Sequence, residues 1–165
     1  MDKEIAFPHG LKRSGVMVVL QSGNRYLLLK RNKPPYVGIY TPIGGKLEPY
    51  EDPYSAAVRE TWEETGIRPA GFRYAGVVVE TSPGSYNWQC NIYHAEIPYQ
   101  EAPPCDEGEL AWIRDDRLSE APIPEIDHYM FAYLSKGRRF AFNAIFDENL
   151  NLLELTEEQE GKRLK

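Results

Sequence analysis

An α+β fold, a mixed β-sheet sandwiched between α-helices, is what the order of elements along this sequence predicts. Two observations carry that reading. Strand-like runs come in groups, and two stretches with helical periodicity and clear end signals fall between the groups. At 165 residues the chain suits one domain with a real core and is short for two. Residues 1–165 are therefore expected to form a single domain, with loose ends at 1–12 and 156–165.

GVMVVLQ (15–21) and RYLLLKR (25–31), parted by SGN, read as a β-hairpin. The stretch PPYVGIYTPIGGKLEPYED is crowded with Pro and Gly and reads as structured loop around a short β-like segment at 38–43. A helix should follow, with Asp52 as N-cap, Pro53 in its first position and Gly66 just past its end. RYAGVVVE and YNWQCNIYHAEI are two further strands. The second alternates, with Trp88, Cys90 and Ile92 on one face and Gln89, Asn91 and Tyr93 on the other. ELAWIRDDRL is a short strand entering a turn, EIDHYMFAYLSKG an amphipathic helix ended by Gly137, and RRFAFNAIF and LNLLEL close the chain as strands.

Composition narrows the function classes. The net charge is −6 with no extended Lys/Arg run, which argues against a nucleic-acid polymer as partner, since binding a phosphate backbone needs a cationic surface. A small anionic ligand stays compatible, because a bound metal reverses the sign of a local site. Two cysteines, Cys90 and Cys105, are too few for a disulfide framework and read as reduced thiols. Cys90 and His94 share a strand face but lack two further ligands for zinc. The N-terminus has no signal-like apolar region, and apolar runs such as GVMVVL are strand-length. A cytoplasmic protein with no membrane partner, as monomer or homodimer, is expected.

The first helix carries RETWEETG at residues 59–66. At 100° per residue, Glu60, Glu63 and Glu64 share an arc of about 100°. Like charges three and four apart repel, each pair by roughly 0.2–0.5 kcal/mol. Only Arg59 stands beside them. Tyr54, Val58 and Trp62 fall on the opposite arc, which is expected to be the buried stripe. Clustered hard oxygen donors following a glycine-rich IGGK suit Mg²⁺ or Mn²⁺, which take a few carboxylates and leave positions for phosphate and water.

Residues 45–67, GKLEPYEDPYSAAVRETWEETGI, resemble the Nudix box. Gly45, Glu51, Arg59, Glu60, Glu63, Glu64, Gly66 and Ile67 all fall in register, and Thr61 alone departs, standing in an apolar slot. The resemblance implies a Nudix fold and a hydrolase that cleaves a nucleoside diphosphate linked to another moiety, with divalent cations held on the box helix. It implies Glu60 and Glu64 as principal metal ligands, Glu63 as a further ligand and catalytic carboxylate, the Gly44 carbonyl as another ligand, and Arg59 as the group that orients the glutamates. LLLKRNKPPYVGIYTPIGGKLEP and DEGELAWIRDDRL…PEIDHYMFAYL resemble the MutT-type, 8-oxo-dGTP diphosphatase branch. By position this implies Glu107 as metal ligand or base, Asp127 as a reader of the purine edge, and Arg31 and Lys46 near phosphate or base. Two positions depart from that branch: Thr41 stands where an asparagine often reads the base, and Pro124 where some relatives stack a tryptophan. A Thr hydroxyl cannot make the bidentate pairing of an amide, so the resemblance carries the chemistry further than the base.

The expected activity is thus Mg²⁺- or Mn²⁺-dependent hydrolysis of a small (deoxy)nucleoside triphosphate, oxidised purines included, to a monophosphate and pyrophosphate. ADP-ribose or a nucleotide sugar is the first rival substrate, favoured by Pro83, which lies about where ADP-ribose hydrolases carry a proline. A non-catalytic nucleotide-sensing module is the second rival.

Overall fold

The computed structural model describes residues 6–165; residues 1–5 of the expected loose lead-in lie outside the described part. Strands β1 (Arg13–Ser22) and β2 (Arg25–Arg31) form the predicted hairpin. The segment expected to hold one short strand holds two, β3 (Tyr40–Thr41) and β4 (Ile43–Lys46). Helix α1 (Pro53–Thr65) follows, then β5 (Arg73–Thr81), β6 (Trp88–Glu96), β7 (Pro104–Cys105) and β8 (Gly108–Arg114). A 3₁₀ turn over Asp115–Glu120 leads to α2 (Glu125–Ser135), β9 (Phe140–Phe146), β10 (Leu152–Glu157) and β11 (Lys162–Arg163).

All the strands join one mixed sheet ordered β11-β10-β9-β5-β6-β1-β2-β8-β7. β1 runs parallel to β6 and β5 parallel to β9, while the other pairings are antiparallel. β1 forks: its Gly15–Val18 half pairs with β4, and Leu20–Ser22 pair with β2. That fork brings the glycine-rich β4 beside α1.

Both faces of the sheet are covered, which is why β1 and β2 read as near-continuous apolar runs. Val16, Val18, Leu20, Leu27 and Leu29 pack with Ala56 and Ala57 of α1. Val19 and Leu28 point the other way, into a second cluster with Met130 and Phe131 of α2 and Phe142 of β9. The α/β/α sandwich expected from the sequence is the architecture observed.

The ends of α1 follow the sequence closely. The Asp52 carboxylate accepts the Ser55 N–H at 2.9 Å, and Gly66 takes φ 67° while donating its N–H to the Trp62 carbonyl. Its orientation does not follow the expectation. Ala56, Ala57, Thr61, Glu64 and Thr65 are the buried positions, whereas Tyr54, Val58 and Trp62 are exposed. The reason is steric: small residues on α1 meet a strand that carries Gly44 and Gly45, so the backbones approach closely and the larger side chains are left at the rim. Thr61, the departure from the box pattern, fits this dry contact because its hydroxyl donates to the Ala57 carbonyl at 2.7 Å. The displaced aromatics are partly covered: Tyr54 packs edge-on against Phe72 and Tyr93, both at 5.8 Å, and the Arg68 guanidinium lies 4.1 Å from the Trp62 ring.

The segment 156–165, expected to be loose, folds back instead. Thr156 pairs with Arg163 and Glu157 with Lys162. The buried Glu157 carboxylate accepts the N–H groups of Ala141, Gln159 and Glu160. These partners come from β9 and the turn, so no local signal announces them. At the other end, the Lys12 ammonium donates to the Glu80 carbonyl, Thr81 Oγ1 and Asn87 Oδ1.

The close approach of α1 and β4 depends most on Gly44. A Cβ there would lie 2.0 Å from the Val16 carbonyl oxygen, which is backbone and cannot move aside, and its φ is 153°. Gly44→Ala is expected to cost at least about 3 kcal/mol in urea unfolding; a loss within about 0.5 kcal/mol would show that β1 and β4 can part without harm.

Candidate functional site

Three short elements build the site: β4, the turn over residues 47–51, and α1. The turn is closed by the Glu51 carboxylate accepting the Glu48 N–H at 2.9 Å, and Asp52 then starts the helix. Arg59, one and a half turns in, projects back over the turn. Its Nε and Nη2 donate to the two oxygens of Glu51 at 2.7 and 2.8 Å, a bidentate pair. Nη1 donates to Glu60 Oε1 at 2.7 Å and Glu63 Oε2 at 3.1 Å, and Nη2 also reaches the Lys46 carbonyl at 3.1 Å. One guanidinium thus joins the strand end, the turn and the helix.

Glu64 is the most enclosed of the carboxylates, 7% exposed, and its Oε2 accepts the Gly44 N–H at 2.9 Å. Burial pushes its carboxyl up to about 8; the Gly44 N–H opposes that shift, and the charges of Glu60 and Glu107 add to it. Glu60 is raised by burial and by Glu63 and Glu107, with Arg59 pulling the other way. Glu51 moves down, chiefly through its hydrogen bond from Arg59. Gly45 makes room for this arrangement, since a Cβ there would lie 2.3 Å from Glu60 Oε1.

Glu107 lies in the turn between β7 and β8, distant in sequence, yet its charge acts on both Glu60 and Glu64. The structure therefore brings Arg59, Glu60, Glu63, Glu64, Glu107 and Gly44 together. Glu51 is the residue whose role sequence reasoning missed; its place in the motif register was the available signal. Among the described residues, no three acidic, histidine or cysteine side chains form a ready-made metal cluster. Arg59 Nη1 instead holds Glu60 Oε1 and Glu63 Oε2. The donor set still fits a hard cation: the side-chain donors are carboxylate oxygens, and burial first, then neighbouring glutamate charges, raises Glu60 and Glu64.

The other expected residues are more dispersed. Lys46 ends β4 and offers its carbonyl to Arg59, with its own side chain exposed. Arg31 ends β2, and its Nε donates to the Pro35 carbonyl at 2.9 Å, so it braces the loop before β3. Thr41 is buried in β3, and its hydroxyl has no hydrogen-bond partner among the described residues. Asp127 is buried in the first turn of α2. Cys90 is buried, and His94 Nε2 lies 2.7 Å from Gln21 Oε1, which leaves neither arranged for a metal.

Carboxylates gathered on one helix beside a glycine strand offer the hard oxygen donors that divalent cations take. The chain belongs to the Nudix hydrolase family: residues 11–134 match the NUDIX domain. Members of this family generally use divalent metal cations. Among curated relatives, the chain is 40% identical over 114 residues to an NAD-capped RNA hydrolase, NudC, of Chromobacterium violaceum, covering 67% of this chain and 42% of that one. It is 34% identical over 94 residues to the m7GpppN-mRNA hydrolase NUDT17 of Bos taurus, covering 52% of this chain and 30% of the relative. The chain thus spans less than half the length of these relatives. Among solved structures, a MutT protein from Bacillus halodurans superposes with a TM-score of 0.77 at 22% identity, over 89% of this chain and 98% of that one, a likeness of fold.

The raised Glu64 carboxyl has a thermodynamic consequence. Its folded value lies above its unfolded one, so the contribution is fully present below the unfolded carboxylate value and is lost as pH rises toward about 8. Glu64→Gln keeps an acceptor for Gly44 and removes the charge. In EDTA the two proteins should melt together near pH 5, while at pH 9 the variant should melt higher by at least about 4 °C. Parallel melting curves across that range would show that Glu64 is not strained in the folded protein.

Proposed function

We propose that this protein is a Mg²⁺- or Mn²⁺-dependent hydrolase of a nucleoside diphosphate linked to another moiety, with a (deoxy)nucleoside triphosphate as substrate and a monophosphate and pyrophosphate as products. The observation that carries it is one arginine set against Glu51, Glu60, Glu63, Glu64 and Glu107, an acidic excess that a cation and phosphate would complete.

Glu60, Glu63 and Glu64 would hold the cation, with the Gly44 carbonyl beside them. When bound, a divalent ion neutralises phosphate oxygens and makes water a stronger nucleophile. The chain's own residues would position and transfer protons. Gly44 fixes one oxygen of Glu64 and leaves the other free. Arg59 sets the rotamers of Glu60 and Glu63. Glu107, outside the Arg59 network, would take the proton of the attacking water on its carboxylate. Lys46 and Arg31 would meet the phosphates, and Thr41 and Asp127 the base.

A second reading takes the diphosphate of a capped RNA end. It is supported by the names of the two relatives, an NAD-capped RNA hydrolase and an m7GpppN-mRNA hydrolase. Against it stands the acidic balance of this chain, −6 overall.

Product analysis over GTP, dGTP, 8-oxo-dGTP, ATP, ADP-ribose, NAD and NAD-capped RNA with Mg²⁺ separates these readings. A triphosphate should yield monophosphate and pyrophosphate, and EDTA should stop the reaction. Glu60→Gln and Glu64→Gln should each lower kcat on the order of 10²–10³-fold with the fold intact. Turnover of ADP-ribose or capped RNA alone would overturn the substrate. Unchanged rates in Glu64→Gln would point to a different site, and no turnover of any substrate on the panel would favour a non-catalytic module.

A further inference from the structure

The way α1 is seated leaves an apolar stripe open among the described residues. Tyr54, Val58 and Trp62 follow one another every four residues along the helix, and they are 46%, 37% and 46% exposed. Tyr74 of β5, 40% exposed, extends the stripe beyond the helix, since its ring and that of Tyr54 both pack on Tyr93, at 5.5 and 5.8 Å. Single exposed apolar side chains are ordinary, whereas a contiguous row of them with three aromatic rings marks a contact surface.

Charged groups of opposite sign stand at its two ends. Asp52, exposed, caps the start of α1 two residues before Tyr54. Arg68, also exposed, follows the end of the helix, and its guanidinium lies 4.1 Å from the Trp62 ring. The stripe is therefore acidic at the Tyr54 end, apolar along its length and basic at the Trp62 end.

A surface with that order is complementary to itself when reversed. Tyr54 and Trp62 each lie four residues from Val58, about 6 Å along the helix axis. When a second copy is turned about a two-fold axis through Val58, the two α1 helices run antiparallel. Val58 then meets Val58 of the second copy, Tyr54 of each copy meets Trp62 of the other, and Asp52 of each meets Arg68 of the other. Two ion pairs result, one at each end, and one patch serves both partners, as a two-fold contact requires. Antiparallel helices also set their dipoles head to tail, and a valine at the crossing is small enough for axes roughly 8–10 Å apart.

We propose that this flank of α1 is the surface through which two copies of the chain associate as a symmetric homodimer, with Val58 at the two-fold axis. The proposal stands apart from the hydrolase reading and does not depend on it. The four apolar side chains leave on the order of 300 Å² open per copy, below the roughly 800 Å² per partner of a standard interface. The dimer is accordingly weak, with a Kd on the order of 100 µM. It leaves the carboxylate ridge open, because on the helical wheel Val58 stands about 160° from Glu60 and about 140° from Glu63.

Sedimentation velocity on the whole chain between about 10 µM and about 1 mM tests this. The wild type should pass from monomer to dimer over that range. Val58→Asp, which sets two carboxylates face to face at the axis, should stay monomeric throughout, with its circular dichroism unchanged. Arg68→Glu, which turns both end contacts repulsive, should weaken association about tenfold. Val58→Cys should form a covalent dimer on mild oxidation, since the axis brings the two side chains within disulfide reach. Val37→Cys, at a 59% exposed position in the loop before β3, should cross-link no more than the wild type. Should Val58→Asp fail to fold, Val58→Cys and the wild-type curve decide. A wild type still monomeric at the top of the range, a dimer that folded Val58→Asp leaves intact, or equal cross-linking of Val58→Cys and Val37→Cys overturns the proposal.

Discussion

Carboxylates that repel one another keep their places in this protein because a single guanidinium is threaded among them, and much of the site's geometry follows from that. Arg59 grips Glu51 with both ends of its fork and steadies Glu60 and Glu63 with the nitrogen left over. The turn, the strand end and the helix meet at its head group. Without the fork, the core contacts of Ala56 and Ala57 and the Gly44 N–H to Glu64 would still seat the helix, but the turn and Glu60 and Glu63 would lose the cation that offsets their repulsion. Glu64 stands apart from this network, fixed by a backbone N–H and kept from water by the sheet.

The same contact explains how the fold serves the site. Glycines in β4 let α1 lie close to the sheet, and that proximity buries Glu64 and shifts its proton affinity. A bulkier strand would lift the helix, rehydrate the carboxylate and relax it toward ordinary behaviour. The α2 face follows a similar logic on a different scale. There the core surrounds Glu80 and Asp127, and burial raises the proton affinity of both acids. One face thus gathers carboxylates around a guanidinium, and the other buries two acids in the core.

Parts of this were legible in the chain. The caps of α1, the hairpin, the alternation in β6 and the order of elements depend on residues a few positions apart, and local chemistry decides them. The spacing of Arg59, Glu60, Glu63 and Glu64 was equally plain. Which way the helix faced was not. A hydropathy wheel assigns the core to Tyr54, Val58 and Trp62, yet the core took the alanines, the threonines and a glutamate, because the partner strand is made of glycines. The C-terminal segment looked polar and free, although β10 and β9 offered it a strand and a carboxylate anchor.

The sequence by itself determined the fold class, the extent of the first helix and the arc of glutamates on it, since each is set by short-range periodicity and capping. Only the tertiary structure decided that Glu64 of this arc lies against the sheet while Glu63 stays exposed, that Glu107 joins it from a distant turn, and that Glu80 and Asp127 are buried. Those outcomes depend on which side chains leave water together, and that is fixed by contacts between segments far apart in the chain.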